Sequence, residues 1–126
     1  MLLLDASALL AVLQGERGAE MVTMAMDDGS MSAANLSEVA AKLVQHGVPY
    51  EEAVSILKSF DLKIIPVDEN VALVAGSLYA MTKSAGLSLG DRLCLATAIL
   101  EKSEVLTADN AWAAIKVDGL NVRYIR

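Results

Sequence analysis

The sequence predicts an α/β fold in which a short, mostly parallel sheet lies between layers of helices. Short apolar runs alternate along the chain with longer segments of helical periodicity. Strands separated by helices normally join a parallel sheet that is covered on both faces. With 126 residues, no internal repeat and no linker, residues 1–126 are expected to form a single domain.

The first half of the chain predicts two strands and four helices. The N-terminal apolar run is short enough to be a buried strand, and the pair Asp28-Gly29 indicates a turn. Leu36, Val39 and Leu43 recur at helical spacing, and Pro49 suits the start of a helix. The predicted elements are strand Met1–Leu4, helices Ala6–Gln14 and Gly18–Met26, strand Ser30–Ala34, a helix from Leu36 that Gly47 closes, and a helix from Pro49 to Phe60.

The second half predicts three strands and three helices. Pro66 indicates that its strand ends nearby or lies at an edge of the sheet, because proline is disfavoured in central strands. Gly86 ends the helix that follows this strand. The helix after Gly90-Asp91 is apolar on nearly all sides, which is typical of a helix buried between other elements. The predicted elements are strand Leu62–Val67, helix Asn70–Ser84, a helix from Gly90 to Leu100, strand Glu104–Leu106, a short helix Asn110–Ile115 and strand Leu120–Ile125.

Composition and termini indicate a cytoplasmic protein. The apolar stretch Leu2–Leu13 is interrupted by Asp5, and Leu93–Leu100 is too short to span about 30 Å of hydrocarbon, so no membrane association is expected. The N-terminus lacks the basic flank and cleavage site of a signal peptide. A single cysteine, Cys94, cannot form an internal disulfide.

Four acidic residues stand where an apolar segment gives way to the first turn of a helix: Asp5, Glu38, Asp91 and Asp109. In open parallel sheets, ligands bind beyond the carboxyl ends of the strands, and Asp5 and Asp109 would project there. Convergent carboxylates suit one or two Mg²⁺ or Mn²⁺ ions, and two such ions about 4 Å apart promote phosphoryl displacement. The pattern therefore predicts a metal-dependent phosphodiesterase.

Helix capping explains each of these acids individually. Aspartate is favoured at helix N-termini, and Asn35-Leu36-Ser37-Glu38 resembles a capping box with Asn35 as the cap. Glu38 also lies four residues before Lys42, a favourable surface pair, and Ser88 to Asp91 resembles a cap region. Capping does not explain why an acid occurs at all four helix starts, because Ser or Thr would cap as well.

The net charge of −6 argues against nucleic acid, because binding to the phosphate backbone relies on Lys and Arg. The objection is mild. Without the four candidate ligands the net charge of −6 becomes −2, and a bound divalent cation would reverse the local field.

The sequence lacks the residues that other classes of enzyme require. His46 is the only histidine and lies at a helix end, so a Ser-His-Asp triad is unsupported. Cys94 is expected in the core, and Trp112 is expected to pack there, with base stacking as the alternative. No glycine-rich nucleotide-binding loop is present, and Ser7 replaces the second aspartate of phosphatases that use an aspartate nucleophile.

Several segments resemble the PIN-domain family, and within it the VapC-type toxins of toxin–antitoxin pairs. The resemblance covers essentially the whole chain, in the right order and spacing. Its segments are Asp5-Ala6-Ser7, Asn35-Leu36-Ser37-Glu38-Val39-Ala40, Leu87-Ser88-Leu89-Gly90-Asp91-Arg92-Leu93-Cys94-Leu95-Ala96, and Leu106-Thr107-Ala108-Asp109 with Trp112 after it.

This resemblance implies a PIN-like three-layer α/β/α fold and a metal-dependent endoribonuclease, usually dimeric and inhibited by a VapB-type antitoxin. Its acidic quartet would be Asp5, Glu38, Asp91 and Asp109, which would bind Mg²⁺ or Mn²⁺ and give RNA products with 5′-phosphate and 3′-hydroxyl ends. Ser7 and Thr107 match hydroxyl positions that would orient the carboxylates, although local capping and a strand-end hydroxyl explain them equally. Arg92 matches a basic position that would contact phosphate or pair with a carboxylate.

Two alternatives remain open at this point. A catalytically silent binding module would keep the α/β fold and bind a partner through its apolar helices. A DNA nuclease would use the same site residues on another substrate.

Overall fold

The computed structural model describes residues 1–126 and contains five strands and seven α-helices. The strands are β1 (Leu2–Leu4), β2 (Gly29–Ser32), β3 (Lys63–Ile65), β4 (Glu104–Thr107) and β5 (Asn121–Tyr124). The helices are α1 (Ala6–Gln14), α2 (Ala19–Ala25), α3 (Ala33–Gln45), α4 (Tyr50–Ser59), α5 (Glu69–Ser77), α6 (Tyr79–Thr82) and α7 (Leu89–Glu101). Short 3₁₀ turns cover Met26–Asp28, Lys83–Ala85 and Asn110–Ala114. None of the helices is both long and apolar enough to cross a bilayer.

The sheet has the strand order β3-β2-β1-β4-β5, and every neighbouring pair is parallel. The predicted mostly parallel sheet is therefore entirely parallel. Leu4 of the central strand lies opposite Met31 on one side and Leu106 on the other. Since Asp5 and Thr107 follow Leu4 and Leu106 directly, this register brings them together at the middle of the carboxyl edge.

A hydrophobic core fills each face of the sheet. Successive strand side chains point to opposite faces, so Leu3 and Val105 pack on one face while Leu4 and Leu106 pack on the other. Helices α5 and α7 and the buried Trp112 cover the first face. Helices α1, α2 and α3 contribute to the second core. The predicted three-layer α/β/α fold is confirmed, as is the packing role of Trp112.

The start of α3 differs from the prediction. The helix begins at Ala33, and Ser32 is its N-cap, with Ser32 Oγ accepting a hydrogen bond from Ala34 N at 3.2 Å. Strand β2 accordingly ends at Ser32 instead of continuing to Ala34. The prediction that Asn35 caps the helix is wrong, because the serine that ends the strand already does so and Asn35 lies inside the first turn.

The predicted helix Asn70–Ser84 is divided into α5, α6 and a 3₁₀ turn. Near the junction at Leu78, the Thr82 hydroxyl donates to the Leu78 carbonyl at 2.9 Å, and the Ser77 hydroxyl donates to the Val74 carbonyl at 2.6 Å. Hydroxyl groups that bond to the preceding turn of a helix often bend it. Such bonds depend on side-chain rotamers, which hydrophobic periodicity does not reveal.

Candidate active site

Asp5 lies directly after the central strand and is 3% exposed. It caps α1, since its Oδ1 accepts a hydrogen bond from Ala8 N at 2.9 Å. Burial raises the pKa of Asp5 from 3.8 to about 6, hydrogen bonds from Thr107, Ser7 and Ala8 oppose that rise, and the charge of Asp91 adds to it. A carboxyl group with this pKa is divided between its two protonation states near pH 6, and a bound cation would favour the ionised form.

Two hydroxyl groups hold the Asp5 carboxylate in place. Ser7 Oγ donates to Asp5 Oδ1 at 2.7 Å, and Thr107 Oγ1 donates to Asp5 Oδ2 at 2.5 Å. The hydroxyls lie 3.2 Å from each other and accept hydrogen bonds from the next loop, with Ala108 N on Ser7 at 2.8 Å and Asp109 N on Thr107 at 3.0 Å. The network ties the Asp5 carboxylate to the segment that carries Asp109.

Glu38 reaches this edge from the second turn of α3. Its Oε1 accepts a hydrogen bond from Asn35 Nδ2 at 2.9 Å, and the same nitrogen donates to the Gly90 carbonyl of α7 at 3.3 Å. A Cβ atom at position 90 would overlap the Glu38 carboxylate. Partial burial raises the pKa of Glu38, the Asn35 hydrogen bond opposes the rise, and the Asp91 charge adds to it. Glu38 therefore lies against the start of α7, and it forms no ion pair with Lys42.

Asp91 is in the first turn of α7 and forms a capping box with Ser88. Asp91 N donates to Ser88 Oγ at 3.1 Å, and Asp91 Oδ2 accepts from Ser88 N at 3.0 Å. The predicted cap region is confirmed. The charge of this carboxylate adds to the raised pKa values of Asp5 and Glu38.

Asp109 caps the 3₁₀ turn after β4, with Oδ1 accepting from Ala111 N at 3.0 Å. Burial raises the pKa of the Tyr124 hydroxyl, and the Asp109 charge raises it further. The backbone N–H of Asp109 is thus linked to Asp5 through the Thr107 hydroxyl.

The charges of Asp5, Glu38 and Asp91 act on one region. Burial raises the pKa of the Cys94 thiol well above its ordinary value, and these three carboxylates raise it further. The ion pairs of the chain lie elsewhere, joining Arg123 to Glu104 at 2.8 Å and Arg126 to Glu16 at 3.8 Å, so no basic side chain neutralises the three acids. Negative charge without a protein counterion is the condition that a bound cation relieves.

The donor set fits a divalent ion of the Mg²⁺ or Mn²⁺ type, because every candidate ligand is a hard carboxylate oxygen. In this arrangement no three acidic, histidine or cysteine side chains are close enough to share one ion. Asp91 and Asp109 each use one oxygen for a backbone N–H, and their other oxygens accept no hydrogen bond. Metal binding would therefore require side-chain movements that bring these carboxylates within reach of one ion.

Arg92 follows Asp91 on α7 and pairs with no carboxylate. Its guanidinium carbon lies 5.3 Å from the centroid of the Tyr79 ring, and Nη1 donates to the Leu87 carbonyl at 3.3 Å. Of the two predicted roles, pairing with a neighbouring carboxylate is thus not found.

The residues set aside from the sequence are placed as expected. Cys94 is fully buried in the core, and His46 is the exposed C-cap residue of α3. Trp112 is 1% exposed and packs in the core beside α7.

Two contributors to the site were missed by sequence reasoning. Asn35 was interpreted as a cap, and Gly90 only as part of a helix start, yet together they hold Glu38. A signal was present in the spacing, because Asn35 and Glu38 are three residues apart and share a helix face. Nothing in the sequence indicated that this face would meet Gly90.

The fold and the site define a parallel α/β protein with Asp5 and the Asp109 segment at the carboxyl edge of its central strands. The chain belongs to the PIN-domain family, whose sequence model matches residues 2–118. The resemblance inferred from the motifs is therefore confirmed. No curated protein matches the chain by sequence.

Solved structures of toxin–antitoxin complexes share this fold. A toxin–antitoxin complex from Klebsiella pneumoniae matches with 22% identity over 95% of each chain and a TM-score of 0.69. VapBC2 from Rickettsia felis, bound to a promoter DNA fragment, matches with 17% identity over 98% of this chain and 97% of that one, and a TM-score of 0.75. DNA-bound VapBC from Salmonella typhimurium matches with 14% identity over 99% and 98%, and a TM-score of 0.76. These likenesses show that the chain shares the fold of the matched structures.

Proposed function

We propose that this chain is a metal-dependent endoribonuclease and the toxin of a toxin–antitoxin pair, which hydrolyses RNA to products with 5′-phosphate and 3′-hydroxyl ends. The observation that carries the proposal is the position of Asp5, Glu38 and Asp91: the Asp91 charge raises the pKa of both Asp5 and Glu38, and no basic side chain pairs with any of the three. Membership of the PIN-domain family supports nuclease chemistry at this site.

The residues would divide the work as follows. Asp5, Asp91 and Asp109 would hold one or two Mg²⁺ or Mn²⁺ ions, and Glu38 would complete the site directly or through water. The bound cation supplies charge neutralisation at the scissile phosphate and makes water easier to deprotonate.

Ser7 and Thr107 each bond to one oxygen of Asp5 and fix the orientation of its carboxylate. Binding of the ion would therefore not have to order this side chain. Arg92, free of any carboxylate, would contact a phosphate of the RNA.

The partners follow from the same relatives. The structures matched by this chain are toxin–antitoxin complexes, which supports a VapB-type antitoxin as the inhibitor of this protein. A homodimer in the cytoplasm is the proposed form. The exposed apolar side chains of Leu73 and Tyr79 on α5 and α6, which are 69% and 55% exposed, provide surface for such contacts.

The nuclease proposal is tested by brief expression of the wild type and Asp5→Asn in a bacterial host, followed by mapping of new 5′-monophosphate RNA ends. Ends at one or a few sites, found only with the wild type and accompanied by growth arrest, are expected. Identical maps at equal soluble expression would contradict the proposal. Cleavage of DNA but not RNA by the purified protein would replace the ribonuclease with a DNA nuclease that uses the same acids.

A catalytically silent binding module is the second candidate. It is favoured by one observation, namely that Asp91 and Asp109 already serve as helix-capping residues. Thermal melting with and without Mn²⁺ separates the two, because a ligand that binds only the native state raises its stability. A nuclease site predicts a higher melting temperature with Mn²⁺ for the wild type but not for Asp5→Asn, whereas the module predicts no change for either.

A further inference from the structure

Asn35 is a buried polar residue whose side chain does not serve its own helix. It is 1% exposed, and only Val39 is comparably buried in α3. Ser32 already caps the helix, and asparagine is a poor helix former. Asn35 Oδ1 is buried without a hydrogen-bond partner, which is unfavourable for folding. An apolar residue of similar volume would suit this position at least as well if stability were the only requirement.

The amide nitrogen of Asn35 links two helices that carry candidate ligands. Its two hydrogens are directed to Glu38 Oε1 on α3, at 2.9 Å, and to the Gly90 carbonyl on α7, at 3.3 Å. Gly90 immediately precedes Asp91. A single buried side chain therefore sets the position of Glu38 relative to the turn that holds Asp91.

Gly90 completes this arrangement by having no side chain. The Glu38 carboxylate occupies the space that a Cβ atom would take. The backbone of Gly90 is helical and does not require glycine for its conformation, since its φ is not positive. The glycine at this position is thus explained by the approach of Glu38.

We propose that Asn35 is a positioning residue of the candidate active site, which together with Gly90 holds the Glu38 carboxylate beside Asp91 so that both acids can serve one divalent cation. The inference rests on the proposed metal-dependent function and adds to it the means by which Glu38 is placed. Partners of metal ligands typically contribute 10- to 100-fold to metal affinity, so about a 10-fold or larger loss is expected when this hold is removed.

The experiment is isothermal titration calorimetry of the purified protein with Mn²⁺, without RNA. Asn35→Leu removes both hydrogen bonds and keeps the branching at Cγ, although leucine is larger than asparagine, and Gly90→Ala displaces Glu38 without changing Asn35. Gly76→Ala is the matched control, because Gly76 is also helical and a Cβ there would meet no atom within 4 Å. Asn35→Leu and Gly90→Ala should bind Mn²⁺ about 10-fold more weakly or worse, and Gly76→Ala should bind like the wild type.

A double variant distinguishes positioning from a general structural role. Since Asn35 acts through Glu38, Asn35→Leu should weaken binding no further in a Glu38→Gln background. The inference would be overturned if the double variant lost Mn²⁺ affinity by the product of the two single-variant factors. It would also be overturned if Gly90→Ala bound Mn²⁺ with wild-type affinity. If Asn35→Leu does not fold, Gly90→Ala decides alone, because only the flexible end of Glu38 must move there. Failure of the wild type to bind Mn²⁺ would instead overturn the proposed function itself.

Discussion

Replacing Asp5 with asparagine should stabilise the metal-free protein at neutral pH. The folded protein raises the pKa of Asp5 from 3.8 to about 6, chiefly through burial. A raised carboxyl pKa means that the native state binds the proton more tightly than the unfolded chain does, so ionisation works against folding. The penalty is absent well below pH 4, grows as the pH rises to about 6 and is then constant.

The magnitude follows from the shift. About two pKa units at about 1.4 kcal/mol each give roughly 3 kcal/mol at about pH 7.5, and the same two pKa values leave roughly 1 kcal/mol at about pH 4.5. Asparagine keeps the shape of the side chain. Its oxygen can accept from Ser7 and Ala8, and its nitrogen can donate to Thr107 Oγ1, whose own hydrogen can turn to Ser7 Oγ at 3.2 Å. The second amide hydrogen has no acceptor there, so the roughly 3 kcal/mol is an upper bound on the gain, while the difference between the two pH values is unaffected.

The assay is urea unfolding followed by circular dichroism in the presence of EDTA, for wild type and Asp5→Asn at both pH values. The contributions of other titrating groups to the free energy of unfolding are the same in both proteins and cancel in the difference. Asp27→Asn is the control, because Asp27 is exposed and lies in the turn before β2, at the opposite edge of the sheet. If Asp5→Asn raised the free energy of unfolding by the same amount at both pH values, the assignment of a raised pKa to Asp5 would be refuted.

Three further outcomes are expected. Asp91→Asn should abolish RNA cleavage and leave the circular-dichroism spectrum unchanged, because asparagine can still accept from Ser88 N; full activity would refute a role for Asp91. Thr107→Val removes a hydrogen bond that lowers the pKa of Asp5, so the pH of half-maximal Mn²⁺ binding should move upward, and an unmoved midpoint in calorimetry would contradict this coupling. The Cys94 thiol should react with a disulfide reagent at about pH 8 only after unfolding in urea, because it is fully buried and its pKa is raised; rapid reaction of the native protein would show that this core opens.

Capping and metal ligation are not exclusive explanations in this fold. The sequence left a choice between them, and the structure shows that Asp5, Asp91 and Asp109 do cap their helices or turns. The carboxyl edge of a parallel sheet is where helices begin, so a carboxylate placed there can bond to a backbone N–H with one oxygen and direct the other into the crevice. The capping bond then limits the rotamers of the carboxylate before any ion binds.

The sequence alone determined the alternation of strands and helices, the parallel sheet, and the position of Asp5, Asp91 and Asp109 at the start of a helix or turn. These features depend on hydrophobic periodicity and on residue preferences that act within a few positions along the chain, so they can be read locally. The prediction of a helix start was wrong for Glu38, which lies in the second turn of α3 because that helix begins at Ala33. The predicted element boundaries were wrong at the start of α3, where Ser32 caps the helix instead of Asn35, and at Leu78, where the predicted helix is divided and the Thr82 hydroxyl donates to the Leu78 carbonyl.

Only the tertiary structure decided how the acids are arranged. The strand order puts β1 at the centre, and this position buries Asp5 and pairs it with Thr107, one hundred and two residues later. The meeting of Asn35 and Glu38 with Gly90 depends in the same way on the packing of α3 against α7. Such contacts arise from burial of surfaces that are distant in sequence, and no local pattern encodes which surface a helix will meet. The raised pKa of Asp5 belongs to this second group, because burial by the assembled fold is its main cause.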